Sequence, residues 1–325
     1  MKRIPPWLAL LLIAPILGEI VSGHQPPLEL CNPISVLLLM LPYGFGALIC
    51  RELVRRWKKG WLSLILMAFA YGVYEEGIVV RSFFNPNWME LENLKPYHVL
   101  GVNWTYSEML VHFHVLVSIA AGIMLAEMLY PKQRKDSWLS NKGLIACVVG
   151  LALWFPAGWL MSAYVPPLPG YLLSWSAIAG LIFAAYCVPV GVPAPIKKDP
   201  PHPFFFLLLG FVNMTLFFVA VYVLPETVTP PLLLSIIGLI LLDGLTLWLL
   251  LRWSGYGGAW DDRHRLAWVA GGLGFFILFN FASDMEAFAG RSFVSVMAIL
   301  GLLLINHRMN LHTLKTRSTA TFSGK

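Results

Sequence analysis

Charge is scarce in this chain. Only 12% of its 325 residues are Asp, Glu, Lys or Arg, about half the share found in soluble globular domains, which excludes a water-facing surface over most of the molecule. Cysteine is scarcer still. Cys31, Cys50, Cys147 and Cys187 form no C-x-x-C pair and three of them lie in apolar runs, so neither a disulfide framework nor a zinc knuckle is indicated. Also missing are an internal repeat, an HExxH-type metal spacing and any polar stretch long enough for a soluble domain. No cofactor or metal is therefore expected. Hydrophobic residues make up 58% of the chain and recur as runs along nearly its whole length, so residues 1–325 read as a single integral membrane domain.

The expected fold is an all-α polytopic transmembrane helical bundle of about ten spans. They cover approximately residues 6–22, 34–50, 61–80, 104–130, 143–164, 170–189, 203–224, 231–251, 265–283 and 292–307. The start, Met1-Lys-Arg followed by an apolar run over 7–21, has the layout of a signal peptide. Pro15, Glu19 and the lack of a small-x-small cleavage site favour a retained first helix. A Pro-rich stretch, 192–203, divides the chain into possible sub-bundles 1–190 and 203–310.

The net charge of +6 does not point to nucleic acid, because the basic residues sit in short loops between apolar runs. Twenty of the 23 Lys and Arg fall in the N-terminus, the even-numbered loops and the C-terminus, leaving Arg81, Lys95 and Arg291 in the odd-numbered loops. Positive charge stays on the cytoplasmic side, so both termini are expected to be cytoplasmic in a multi-pass protein of the cell membrane. Membrane lipids are the partners this composition implies.

Against that apolar background Glu75-Glu76 stands out. Ionisable groups inside a span are costly and are kept where they face a cavity, meet a partner or do chemistry. The orientation places Glu76 about 7 Å below Arg81 on the third span. Glu108, His112 and His114 then lie about 6, 12 and 15 Å down the fourth, all in the outer half of the membrane. Glu19 sits near the outer end of the first span, and Asn280 and Asp284 at that of the ninth. Glu108 and His112 share a helix face, as do Asn280 and Asp284. His112 and His114, two residues apart, point to opposite sides. Glu75 and Glu76, about 100° apart, allow one to face a cavity while the other reaches a neighbouring helix. Arg81 lies near the interface, where it either neutralises a carboxylate or, by preference, snorkels to headgroups. Asp243 and Asn213 stand alone, Asp243 towards the cytoplasmic side. The outer segment 81–104 reads as an ordered lid, and Asn103-Trp-Thr105 fits a short glycosylation pattern.

Glu75-Glu76-Gly-Ile-Val-Val-Arg81 resembles EExxxR, the first motif of the CAAX-protease and bacteriocin-processing (Abi) family of intramembrane glutamate proteases. Leu110-Val-His-Phe-His114 is similar to that family's second motif, FxxxH, on the next helix. The resemblance implies that Glu75 or Glu76 activates water and that His114 helps to hold it or the oxyanion. Four residues rather than three separate Glu76 from Arg81, and the family's third motif is absent, since no His lies between His114 and His202. The segment EEG-x-x-x-RSFF followed by GVNW is also similar to that of uncharacterised multi-pass proteins of bacteria and archaea, for which no activity is implied.

Two kinds of chemistry fit these residues. A hydrolase would use a carboxylate as general base with a neighbouring His, acting on a membrane-embedded peptide or small-molecule substrate. A proton- or cation-coupled transporter would titrate the same groups. A non-catalytic membrane scaffold uses none of them. A metal version would draw on Glu75, Glu108, His112 and Asp284.

Overall fold

The structure is a computed structural model, and it describes residues 4–88, 92–191, 194–283 and 290–322. It is an all-α polytopic bundle. The membrane helices are α1 (Pro6–Val21), α2 (Pro33–Arg56), α3 (Trp61–Val79), α4 (Trp104–Leu129), α5 (Asn141–Leu160), α6 (Leu168–Cys187), α7 (Pro203–Thr227), α8 (Leu232–Trp253), α9 (Asp262–Ala282) and α10 (Arg291–Asn310). Among the described residues α2 to α10 are long and apolar enough to cross a membrane, while α1 is shorter. Ten passes were expected; nine full spans and one short helix are found.

Local chemistry sets the starts of these helices. Proline occupies the first turn of α1, α2 and α7, where its missing N–H leaves nothing unsatisfied. Side chains of Asn32, Asn103 and Ser140 accept backbone N–H bonds at the starts of α2, α4 and α5. Asp261 and His264 form a reciprocal cap on α9, which supplies partners to otherwise orphaned N–H groups.

Burial separates inside from outside. In α4, 89% of the most apolar window is buried within the protein, against 11% in α8, so α4 is the central helix and α8 faces lipid. Leu10 and Ala14 of α1 are fully buried, which makes that short helix an interior element too. The largest apolar cluster draws on α1, α4, α7, α9 and α10, and so on both sides of the Pro-rich connector. Small residues allow backbones to touch. A Cβ on Gly271 of α9 would lie 2.0 Å from the Leu207 carbonyl of α7, and one on Gly158 of α5 would lie 2.2 Å from that of Val79 in α3.

The described residues between α3 and α4, 80–88 and 92–103, are packed against the bundle. A two-residue antiparallel pair, β1 (His98–Val99) and β2 (Val102–Asn103), closes this segment, and Phe84, Leu94 and Tyr97 are buried beneath it. The Asn103 side chain donates to the Leu94 carbonyl at 2.7 Å and accepts from the Tyr106 N–H at 3.0 Å. Asn103 is wholly buried, so its amide is a structural clamp and not an accessible glycosylation site.

Basic residues at one end of the bundle are drawn inside it. At the C-terminal end of α2, Arg51 is 1% exposed and bonds Glu127 of α4 at 3.0 Å, while Arg55 binds the same carboxylate at 2.7 Å. The Arg51 guanidinium also lies 3.2 Å from the centre of the Trp138 ring. Loop-flanking basic residues thus build a buried ion cluster.

Candidate functional site

Among the described residues five stretches of the membrane helices are π-helical, and four of them converge. They are Ile16–Val21 in α1, Met40–Gly44 in α2, Tyr74–Val79 in α3 and His114–Ala121 in α4. π-turns are rare and are drawn to functional sites, because the extra residue per turn re-aims side chains. Proline explains two of them: Pro15 immediately precedes the first and Pro42 lies within the second, each removing an N–H from the regular ladder. The four stretches carry Glu19, Tyr43, Glu75, Glu76, His114 and Ser118.

These side chains form one buried polar cluster. His114 Nε2 meets Glu76 Oε1 at 2.9 Å, and Ser82 donates to Glu76 Oε2 at 2.5 Å. His114 Nδ1 lies 3.2 Å from the Ser118 hydroxyl, an arrangement that suits a neutral ring accepting from Ser118 and donating to the carboxylate. The ring is held between two tyrosines. Tyr43 stacks on it with centroids 6.0 Å apart, and Tyr71 meets it edge-on at 5.6 Å. The Tyr43 hydroxyl donates to Glu19.

Glu75 turns the other way, to α5, where Trp154 Nε1 donates to its Oε1 at 2.7 Å. The adjacent glutamates therefore address different helices, as their 100° offset requires. Glu75 Oε2 and the Tyr71 hydroxyl are buried without a protein partner among the described residues. Sequence reading missed Tyr43, Tyr71, Ser82, Ser118 and Trp154. The available signal was the tyrosines: a Tyr deep in an apolar run needs a partner for its hydroxyl once buried.

Other expected members lie elsewhere. His112 does face away from His114, as the helix geometry requires. It lies 2.8 Å from Asp243 of α8 and stacks on Phe217 of α7 with ring centroids 3.8 Å apart. Glu108, on the same face, lies against Asp243 as well. Asp243 is therefore not a solitary anchor near the cytoplasm but part of a second cluster midway along α8. Asn213, expected to stand alone, donates to Thr246 at 3.1 Å.

Arg81 does not snorkel. It is 1% exposed, its Nη2 donates to the Gly158 and Ser162 carbonyls at the end of α5, both at 2.5 Å, and its guanidinium sits 4.0 Å from the Trp159 ring centre. The turn at Arg81 has φ of 64°, which swings the side chain back towards α5 and away from the headgroups. Desolvation holds its pKa below the ordinary arginine value, and it makes no bond to either glutamate.

Asn280 is fully buried and donates to the Val21 carbonyl at 2.8 Å, so it ties α9 to the end of α1 and does not join the Glu76 cluster. Asp284 lies outside the described residues. The metal set of Glu75, Glu108, His112 and Asp284 is not gathered, since Glu75 belongs to one cluster and Glu108 with His112 to the other. Among the described residues no three His, Cys, Asp or Glu side chains gather as a ligand set.

The bundle thus holds a hydrogen-bonded carboxylate–imidazole pair next in sequence to a second carboxylate, one of whose buried oxygens has no protein partner among the described residues. Such a group can accept a proton from water or pass one along. No curated protein and no solved structure matches the chain. The likeness of residues 75–81 and 110–114 to the CAAX-protease motifs remains local, because the family whose profile matches is a different one. That profile is described as an uncharacterised membrane protein family and it matches residues 8–305. Since the match covers most of the chain, this protein belongs to that family of membrane proteins.

Proposed function

We propose that this protein is an intramembrane hydrolase of a membrane-embedded peptide or small-molecule substrate, centred on Glu75, Glu76 and His114 in the outer half of the cell membrane. The observation that carries the reading is the buried Glu75 oxygen without a protein partner among the described residues, on the residue adjoining the Glu76–His114 pair. Glu75 serves as general base. It takes a proton from water as the water oxygen bonds to a substrate carbonyl carbon, and it returns that proton to the leaving group when the scissile bond breaks. The Tyr71 hydroxyl, buried without a protein partner among the described residues, is the donor offered to the developing oxyanion. Glu76, bonded to Ser82 and His114, positions the imidazole. Ser82, at the start of the segment that leads to α4, anchors the Glu76 carboxylate.

The test uses the full chain in lipid vesicles with fluorogenic single-span peptides as reporters. Cleavage that disappears in Glu75→Gln and in Glu76→Gln, with both variants still folded, supports the hydrolase. A fully active Glu75→Gln/Glu76→Gln double variant would leave a structural role for the pair. Proton-coupled transport is the second reading, and the Glu108–His112–Asp243 cluster is the observation that favours it.

A further inference from the structure

The second cluster is independent of the first and has its own geometry. Asp243 lies halfway along α8, about 15 Å from either end at ~1.5 Å per residue. Its side chain is 30% exposed on a helix whose neighbouring residues Ile240, Leu241 and Leu245 face outwards. Leu239 and Thr246, the buried residues of α8, flank it four before and three after, so Asp243 stands at the edge of the inward stripe. His112 approaches it at 2.8 Å from α4, and Glu108, one turn earlier, lies against it too. His112 Nε2, on a side chain 4% exposed, Glu108 Oε2 and Asp243 Oδ1 are all buried without a hydrogen-bond partner among the described residues, so the 2.8 Å approach is a close contact and not an aligned hydrogen bond.

Two carboxyls in contact, with no aligned donor from the imidazole, need a shared hydrogen to bond. From this we infer that Glu108, His112 and Asp243 form a proton-binding site at mid-membrane, in which Asp243 is the carboxyl that can be reached from the bilayer side of α8. The groups packed against Asp243 leave few alternatives. From α4 they are Glu108 and His112. From α7 they are the Phe217 ring and Asn213, the latter bonded to Thr246, together with Tyr222, whose hydroxyl donates to Met109 Sδ at 3.9 Å. No Lys or Arg shares the cluster among the described residues. A site of this kind supplies a protonatable group for proton-coupled movement of a substrate or of protons alone, a function separate from hydrolysis at Glu75.

Carbodiimide labelling of the full chain in vesicles tests this directly. A carbodiimide adds to a protonated carboxyl: the proton passes to its nitrogen, the carboxylate oxygen bonds to its carbon, and the adduct rearranges to a stable N-acylurea that peptide mass spectrometry locates. The expected result is modification of Asp243 by the membrane-soluble dicyclohexyl reagent but not by a water-soluble one. It should increase as pH falls, disappear in Asp243→Asn, and follow a shifted pH profile in His112→Gln and Glu108→Gln. Failure of the membrane-soluble reagent to modify wild-type Asp243 at any pH would overturn the inference. So would equal modification by both reagents, or a pH profile indifferent to His112 and Glu108. Because the central measurement is made on the wild-type chain, it does not depend on a variant that folds, and it is blind to loss of peptide cleavage.

Discussion

Glu75 and Glu76 are adjacent and chemically identical, yet the structure assigns them different costs on amidation. Both oxygens of Glu76 are engaged, one by His114 at 2.9 Å and one by Ser82 at 2.5 Å. In Glu76→Gln the amide can still accept from His114 and donate to the adaptable Ser82 hydroxyl, but both bonds become neutral. A bond to a charged group contributes about 1.5–3 kcal/mol and a neutral one about 0.5–1.5, so the variant loses about 2 kcal/mol. Glu75 presents another balance. Its one strong bond, from Trp154 at 2.7 Å, weakens by about 1 kcal/mol on the same scale. The Oε2 that becomes an amide bonds nothing in the protein among the described residues, so no second bond is lost, and a neutral amide is cheaper to bury than a bare carboxylate, which offsets that loss. Glu75→Gln should therefore be close to neutral.

The comparison is made by thermal unfolding of the purified protein in detergent, followed through its 13 tryptophans at one fixed scan rate, because irreversible unfolding makes the midpoint rate-dependent. A midpoint several degrees below wild type is expected for Glu76→Gln and no resolvable change for Glu75→Gln. Both should lose activity. If Glu75→Gln falls as far as Glu76→Gln, or Glu76→Gln does not fall at all, the hydrogen-bond assignment that separates the two glutamates is wrong. Glu76→Gln combined with His114→Phe should cost less than the two single changes added together, since they remove one shared bond.

Three further outcomes test the rest of the fold. Glu127→Ala should destabilise by about 3 kcal/mol in the same assay, because Arg51, at 1% exposure, loses its 3.0 Å partner and keeps only carbonyls, Trp138 and the more distant Glu52 carboxylate at 3.9 Å; a shift no larger than that of an exposed surface variant would show the ion cluster to be idle. Gly158→Ala should reduce the yield of folded protein and lower the midpoint, as its Cβ would lie 2.2 Å from the Val79 carbonyl, whereas Gly180→Ala, with nothing within 4 Å, should be tolerated. Orientation can be read from native cysteines, since Cys31 and Cys187 are exposed and the other two are buried. An impermeant maleimide should label Cys31 on intact cells and Cys187 only after permeabilisation, and the reverse pattern would invert the topology.

What the sequence made legible follows from what each signal measures. Apolar runs and loop charges register the transfer of whole helices into lipid, so the spans could be read with only the shortness of α1 misjudged. Periodicity registers angular position, which is why the opposed faces of His112 and His114 and the split of Glu75 from Glu76 were foreseeable. Neither signal carries information about which distant helix fills the space opposite. Asp243 looked solitary because its partners lie more than 130 residues earlier on α4, and Arg81 looked like a snorkelling residue because the carbonyl end of α5 that it caps is about 80 residues away. The π-turns escaped for a different reason. An inserted residue shifts the helical register by about 100°, and only Pro15 and Pro42 left a mark in the sequence. The stretches at 74–79 and 114–121 contain no proline; their side chains instead bond across helices, Glu75 to Trp154 and Glu76 to His114, partners that local sequence does not announce. The residues that meet at the candidate site thus come from the places where regular helix geometry yields to long-range packing, which is also where a single sequence is least able to specify the outcome.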